Sequence, residues 1–535
     1  MAEWDDGYIT DVPYIADYHR ETLPIWMVTM ATILGHAAPD ITRPFRYADL
    51  GSGSGLTPLI VAATMPHAEV WAFDFNPNHI EAGRDVARRS GLTNIRFVEA
   101  SFEDLARQAP PPPFSTSPDA SPMFDFIVAH GVLSWISREN QRHLYTVIGQ
   151  RLAPGGIAYV SYNVSTGWAG IAPIAALMRL LAEASPERRT DLALDSVFDA
   201  LEKMRDAGAK MFVDHADLGA RLDGFRARNR RYVAHELLNG HWRPTMFAPV
   251  ASAMAGIKCD YIGSATLEDN IAGLTVPAAS REMFGQARDV RLRETLRDLS
   301  AATSFRRDLY QRGPRRMGPL ERMRETDAIA LVRTFRPVPE TIAIEAAMGQ
   351  FMMDQPRFHA MLRALDAGPI TIGQLRGERT FAAWPDAALL EAVTLLLGSG
   401  YVAPIMVAPP EAAAIDAAGR LNGAHATLFD RGEDRPYLAC PALGGAWPVS
   451  AIELLGLDEL RAGRTAAEQP LADAVCDRVT RSGRRLQQNG KPVVDPAAAR
   501  AIVLEKIRDT LLHVPLMRRL GALDHVAAGE PSERG

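Results

Sequence analysis

Arg46-Tyr-Ala-Asp49-Leu-Gly51-Ser52-Gly53-Ser-Gly55 is the stretch whose reading decides the fold. A short apolar strand pattern runs into three glycines at alternate positions, and an apolar helix pattern opens at Leu56. Alternate glycines let the chain turn sharply and let a ligand approach the backbone, as happens where a strand hands over to a helix in an open α/β sheet. A dinucleotide fingerprint would read G-x-G-x-x-G, but Leu56 stands where its last glycine would be, so the pattern is D-x-G-x-G-x-G.

Working outward, short apolar runs alternate with amphipathic stretches, which predicts strands at Arg46–Leu50, Glu69–Asp74, Ile95–Glu99, Phe124–Ala129, Gly156–Tyr162 and Cys259–Ser264. A helix over Arg291–Leu299 and an edge strand over Ser304–Tyr310 would close this first domain, residues 1–313, with a helical insert at about 164–245. An amphipathic helix over Tyr18–His36 would cap it, and the proline-rich Ala109–Pro122 stretch would form an extended loop. Residues 314–408 read as a hairpin around Pro337-Val-Pro339, then helices at Phe358–Ala367, Ile370–Leu375 and Asp386–Leu397 and a strand at Tyr401–Ile405, the order of a winged-helix module. Residues 409–535 are mainly helical. The expected fold is thus α/β: a Rossmann-like sheet with a helical insert, a winged-helix-like domain, and a helical C-terminal region.

Composition narrows the functional classes. With 47% hydrophobic and 23% charged residues over a length of 535, the chain is neither disordered nor fibrous. Its 58 basic and 64 acidic side chains give no global field for nucleic acid. The arginines of Arg306–Arg324 are interleaved with acids, and Asp386–Leu397 carries no Lys or Arg, so no nucleic-acid partner is expected. No long apolar run predicts membrane insertion, and three scattered cysteines fit a reducing cytoplasm. His235, Glu236 and His241 lack zincin spacing, so no metal is expected.

An acid two residues before the first glycine suits a cationic ligand, such as the sulfonium and amino group of S-adenosylmethionine, better than a pyrophosphate. The expected cofactor residues are Asp49, Gly51, Ser52, Gly53 and Gly55 in the turn, with Asp74 and Phe75 after the second strand. Asp74 would accept both ribose hydroxyls. Ser101 and Phe102 would border an adenine, Ser101 serving equally well as a helix cap, and His130 would face the crevice beyond the fourth strand.

Together with Leu152-Ala-Pro154-Gly155-Gly156 before strand five, these residues resemble the class I S-adenosylmethionine-dependent methyltransferases. A narrower likeness rests on AHGVLSWIS at 129–137, SYNVSTGW at 161–168, AHELLN at 234–239, AGIKCDYIGSA at 255–265, SFRRDLY at 304–310 and RPYLACP at 435–441. These are similar to bacterial methyltransferases with a methyltransferase regulatory region, a group that includes the outer-membrane-protein lysine methyltransferases of rickettsiae. The chain departs from that pattern where Tyr162-Asn163-Val-Ser-Thr166-Gly167-Trp168 lacks a proline before the glycine.

The resemblance implies a protein side chain, lysine favoured, as methyl acceptor; a small molecule or natural product is the alternative, and a non-catalytic regulator or scaffold a weaker one. A lysine with a reference pKa near 10.4 must give up its proton, at about 4.6 kcal/mol at pH 7. His130 and Tyr162 are the candidate catalytic groups, and Tyr14, Tyr18, Trp135, Asn163 and Trp168 the candidate substrate contacts. A homodimer is compatible with these features.

Overall fold

A computed structural model of the protein describes residues 6–12, 16–108, 123–187, 189–215, 217–346, 348–464, 466–488 and 491–523. Tyr14 and the proline-rich stretch 109–122 lie outside the described residues. The centre is a seven-stranded sheet of order β3-β2-β1-β4-β5-β7-β6. Its strands are β1 Arg46–Leu50, β2 Glu69–Asp74, β3 Ile95–Glu99, β4 Phe124–Ala129, β5 Leu152–Asn163, β6 Cys259–Ser264 and β7 Phe305–Arg312. Pairs β1–β2, β2–β3, β1–β4 and β4–β5 are parallel, whereas β7 runs antiparallel to both β5 and β6. The edge strand is therefore β6, and the segment expected at the edge lies between β5 and β6. Its burial explains this: Asp308, Leu309, Tyr310 and Gln311 are all covered, as a strand paired on both sides requires.

Helices α1 Pro24–Ile33, α2 Leu56–Thr64, α3 Pro77–Arg89, α4 Phe102–Arg107 and α5 Arg138–Arg151 precede the insert, whose helices run from Ser165 to Leu237. Strand order reverses between β1 and β4, the switch point at which open α/β sheets leave a crevice outside the strand ends. Helix α1 is shorter than the expected Tyr18–His36 and is not amphipathic, since every residue in it except Val28 is buried. Pro24 fixes its start, and it packs against the helix Pro319–Asp327 and the strand Val402–Ile405 of the following region, within one apolar core that also holds Leu331, Phe358, Leu389 and Leu396.

That region departs from the expected hairpin around Pro337-Val-Pro339. Strand β8 Ala330–Arg333 is flanked on both edges by β11 Ile370–Thr371 and β12 Val402–Ile405, and the hairpin forms instead between β9 Ala343–Ala346 and β10 Gly349–Met352. Pro337 and Pro339 cannot donate to a ladder, and β8 is already paired along its whole length with β12 and over Ala330 and Leu331 with β11. Helices Gln355–Ala364, Ile372–Gly377 and Asp386–Gly398 complete the segment.

The C-terminal region is mainly helical, with Ala412–Asp430, Ala451–Arg461, Glu468–Arg481 and Pro496–Arg519 around a hairpin of β13 Tyr437–Cys440 and β14 Gly445–Pro448. Ala417, Ala418 and Leu421 of its first helix pack against Leu56, Leu59 and Ile60 of α2. The C-terminal region thereby covers the helix that begins at the glycine turn. No helix of the described residues is long and apolar enough to cross a membrane.

Candidate active site

The glycine turn bridges β1 and α2 at the switch point, with Gly51, Gly53 and Gly55 all at positive φ (79°, 55° and 73°). The backbone N–H groups of Gly51 and Ser52 both donate to the Phe73 carbonyl, at 2.8 and 2.9 Å, which ties the turn to the end of β2. A methyl group placed on Gly51 would lie 2.6 Å from Val132, and one on Gly55 would lie 2.4 Å from the Phe97 ring. At Gly53 it would meet no atom within 4 Å, so this backbone borders open space of the kind a ligand could occupy.

Asp74 stands over that space. One carboxylate oxygen accepts from the Gly53 N–H at 2.8 Å, and the other accepts from the Asn76 N–H at 2.9 Å and lies 3.2 Å from His79 Nδ1. Asp49 is 7% exposed, and burial together with the nearby Asp74 pushes its carboxyl up to about 7. Two acids beside a glycine turn, one of them short of compensating charge, match a ligand carrying positive charge and ribose hydroxyls. Phe75 meets the Tyr8 ring edge-on at 5.5 Å, so the N-terminal segment lies against this end of β2.

Ser101 caps α4: its Oγ accepts from the Asp104 N–H at 3.1 Å and donates to the Asp104 carboxylate at 2.6 Å. Its hydroxyl is therefore engaged in the helix start, the cap reading left open by the sequence, and Phe102 is half-buried in the core beside it.

His130 follows β4 and gathers a group of its own. Its Nδ1 lies 2.9 Å from the Tyr159 hydroxyl and 3.4 Å from Ser161 Oγ, and Ser161 Oγ accepts from the Gly131 N–H at 2.9 Å. The ring of His19 stacks on His130 with centroids 3.7 Å apart, and Phe305 closes another side at 6.0 Å. Burial, with smaller contributions from His19 and Arg307, holds His130 well below the usual histidine range; burial also lowers His19. Both imidazoles are neutral at neutral pH. His19, Tyr159 and Ser161 were missed in the sequence. Residue parity was the available signal for the last two, because they share a sheet face with each other and not with Tyr162.

Tyr162 does not join this group. It is fully buried on the opposite face, where its hydroxyl donates to Asp308 at 2.6 Å, and Asp308 is held by Arg306, which also pairs with Asp298 and Glu294. Burial raises Tyr162 well above the usual phenol range. The expected substrate contacts are likewise placed elsewhere. Asn163 donates to Glu236 at 2.9 Å; Trp168 donates to the Ser304 carbonyl at 2.8 Å; Trp135 and Trp168 are both part of the insert's apolar core. Tyr18 sits on the C-terminal hairpin, its hydroxyl accepting from the Ala446 N–H at 2.9 Å.

Comparison with known proteins agrees with this geometry. Residues 48–158 match a family model described as a methyltransferase domain, and residues 229–312 match one described as a predicted methyltransferase regulatory domain. An uncharacterized protein of Synechocystis sp. is 29% identical over 455 residues, 84% of this chain and 87% of its own length. An uncharacterized protein of Rickettsia prowazekii is 27% identical over 247 residues, 44% of this chain and 42% of its own. Among solved structures, PKMT2 from Rickettsia typhi in complex with AdoHcy superposes with a TM-score of 0.68 at 18% identity, covering 95% of this chain and 99% of that one, which shows a shared fold. The first model ends within β5, and the second contains β6 and β7, so the regulatory region completes the sheet that the methyltransferase domain begins. The chain therefore carries a methyltransferase domain, with S-adenosylmethionine as the methyl donor, and a region matching the methyltransferase regulatory model finishes its sheet.

Proposed function

We propose that the protein methylates an amine on a protein side chain, lysine in preference to other acceptors, in the cytoplasm. The observation that carries this reading is the neutral group of His130, His19, Tyr159 and Ser161 gathered at the end of β4, beside the glycine turn. The likeness to rickettsial lysine methyltransferases supports the choice of lysine.

When bound, the cofactor supplies a methyl group already activated on a sulfonium, so the chain's part is positioning and control of charge. Asp49 and Asp74 supply the negative charge and hydrogen-bond acceptors on the cofactor side. On the acceptor side a cationic base would repel both an ammonium and a sulfonium, and the depressed histidines avoid this. A lysine entering this enclosed group is desolvated and comes within reach of the Arg307 cation, and both lower its pKa and favour the neutral amine. With the His130 proton on Nδ1, shared with the Tyr159 oxygen, Nε2 is an acceptor for an amine N–H and orients its lone pair. His130 thus acts as an acceptor rather than as a strong base. The regions 314–408, winged-helix-like in element order, and 409–535 form further domains in this reading and present the substrate to the site.

Incubation of the pure protein with methyl-labelled cofactor and a fractionated lysate tests the proposal. Label is expected in protein, and hydrolysis is expected to release methylated lysine. Label confined to small molecules would overturn the reading in favour of a small-molecule acceptor.

A further inference from the structure

Arg435 belongs to the RPYLACP stretch, in the C-terminal region, yet its side chain reaches the cofactor turn: Nη2 donates to Ser54 Oγ at 3.3 Å. The residue is 4% exposed, and its Nε and Nη1 are buried with no hydrogen-bond partner among the described residues. A buried guanidinium needs a compensating anion, and its surroundings offer little. Glu433 approaches only to 4.0 Å with its own side chain 59% exposed. His425, fully buried beside it, is held down to about 3 by burial and by Arg435 itself; its Nδ1 is bonded to the Tyr437 carbonyl, so it remains neutral. Burial accordingly lowers Arg435 from its ordinary value, the mark of a charge short of a partner. Ser54 precedes Gly55, the N-cap of α2, and that helix start has no side-chain cap. An uncapped helix N-terminus and an uncompensated guanidinium thus meet at the same turn, and both favour negative charge.

We propose that Arg435 is a cofactor-binding residue contributed by the C-terminal region, and that its anionic partner is the carboxylate at the amino-acid end of the cofactor. The assignment rests on the cofactor reading above and adds that the site is composite. The glycine turn and Asp74 hold the nucleoside side, while a residue some 380 positions later in the chain holds the carboxylate. It also gives the close packing of Ala417, Ala418 and Leu421 on α2 a purpose, because that contact sets the reach of Arg435.

The test compares three probes by calorimetry on the full chain: S-adenosylhomocysteine, its carboxamide, and 5′-methylthioadenosine, which lacks the amino-acid portion. In the unaltered protein, binding of S-adenosylhomocysteine itself checks the cofactor reading, and a preference of at least tenfold for the carboxylate over the carboxamide checks this one. Arg435→Met should weaken S-adenosylhomocysteine at least tenfold and leave methylthioadenosine within twofold, with Arg435→Lys in between. Equal binding of acid and amide by the unaltered protein would overturn the proposal. So would Arg435→Met weakening all three probes alike, since that is the signature of a purely structural arginine.

Discussion

The rings of His19 and His130 stack with centroids 3.7 Å apart and a 25° tilt, joining the N-terminal segment to the end of β4. Two imidazoles at that distance cannot both be protonated in a buried setting, and burial has already lowered each of them. The N-terminal segment therefore adds, through His19, to the burial that keeps His130 neutral. On unfolding below about pH 6.5 each ring would take up a proton, so the stability that the pair contributes is complete above that pH and is lost as pH falls.

It follows that no histidine inflection should appear in the pH dependence of turnover between pH 7 and 9. The rate should instead climb with pH until the bound amine is mostly neutral. His130→Ala should lower kcat by about a hundredfold, the low end for a positioned acid–base group. Its effect on cofactor affinity should be slight, because no hydrogen bond joins His130 to Asp49, Asp74 or the glycine turn among the described residues. Single-turnover rates and calorimetry on the same preparation separate the two effects. An unchanged rate, or a loss confined to affinity, would count against the assignment.

Asp49 should make cofactor binding pH-dependent from the other side. Its carboxyl is pushed up to about 7, so it is mostly protonated at pH 6 and ionised above 7. A cationic ligand selects the ionised form, so affinity should improve by roughly tenfold per pH unit well below 7 and level off above it. Binding at pH 6 should release close to one proton, read as a dependence of the calorimetric heat on buffer ionisation enthalpy. Asp49→Asn should abolish the release.

Much of this architecture is legible in the chain because glycines and strand periodicity leave few alternatives. The turn from Asp49 to Gly55, Asp74 at the end of β2 and the insert after β5 all follow from local pattern. The errors arise where one residue of register or a distant partner decides. Tyr162 is a strand-end hydroxyl, but alternation puts it on the face opposite Tyr159 and Ser161. The amphipathic reading of α1 fails because its outer side is covered by the helix Pro319–Asp327 and the strand Val402–Ile405, elements far away in the sequence. Arg435 and His19 reach the site through tertiary packing that no local window contains.

The placement of Tyr162 has its own consequence. Its hydroxyl is one of the groups holding the buried Asp308 carboxylate, alongside Arg306 and Tyr310. Tyr162→Phe should cost about 1.5–3 kcal/mol of stability, the range for a hydrogen bond to a charged group, visible as a lower urea midpoint. At a temperature where the variant is folded, kcat and cofactor affinity should stay within about twofold of the unaltered protein. A large fall in kcat with an unchanged midpoint would return Tyr162 to the chemistry.

The ring of Phe97 is clasped between two glycines, and that clasp connects stability to cofactor binding. A methyl group on Gly83 of α3 would lie 2.1 Å from the ring, and one on Gly55 of the cofactor turn 2.4 Å from it. Gly83→Ala sets two effects against each other. Alanine in place of glycine within a helix gains about 1 kcal/mol in propensity. Overpacking against a core ring costs about 1–3 kcal/mol, towards the upper end here because Phe97 is 7% exposed and its retreat runs into Gly55. The clash should win, for a net loss of roughly 1–2 kcal/mol. Because the displaced ring presses on the turn, cofactor affinity should fall as well, by about threefold or more, although Gly83 touches no ligand. Gly83→Ala combined with Phe97→Leu should recover much of that affinity by relieving the pressure. A variant as stable and as tight-binding as the unaltered protein would show that the ring has room the structure denies it.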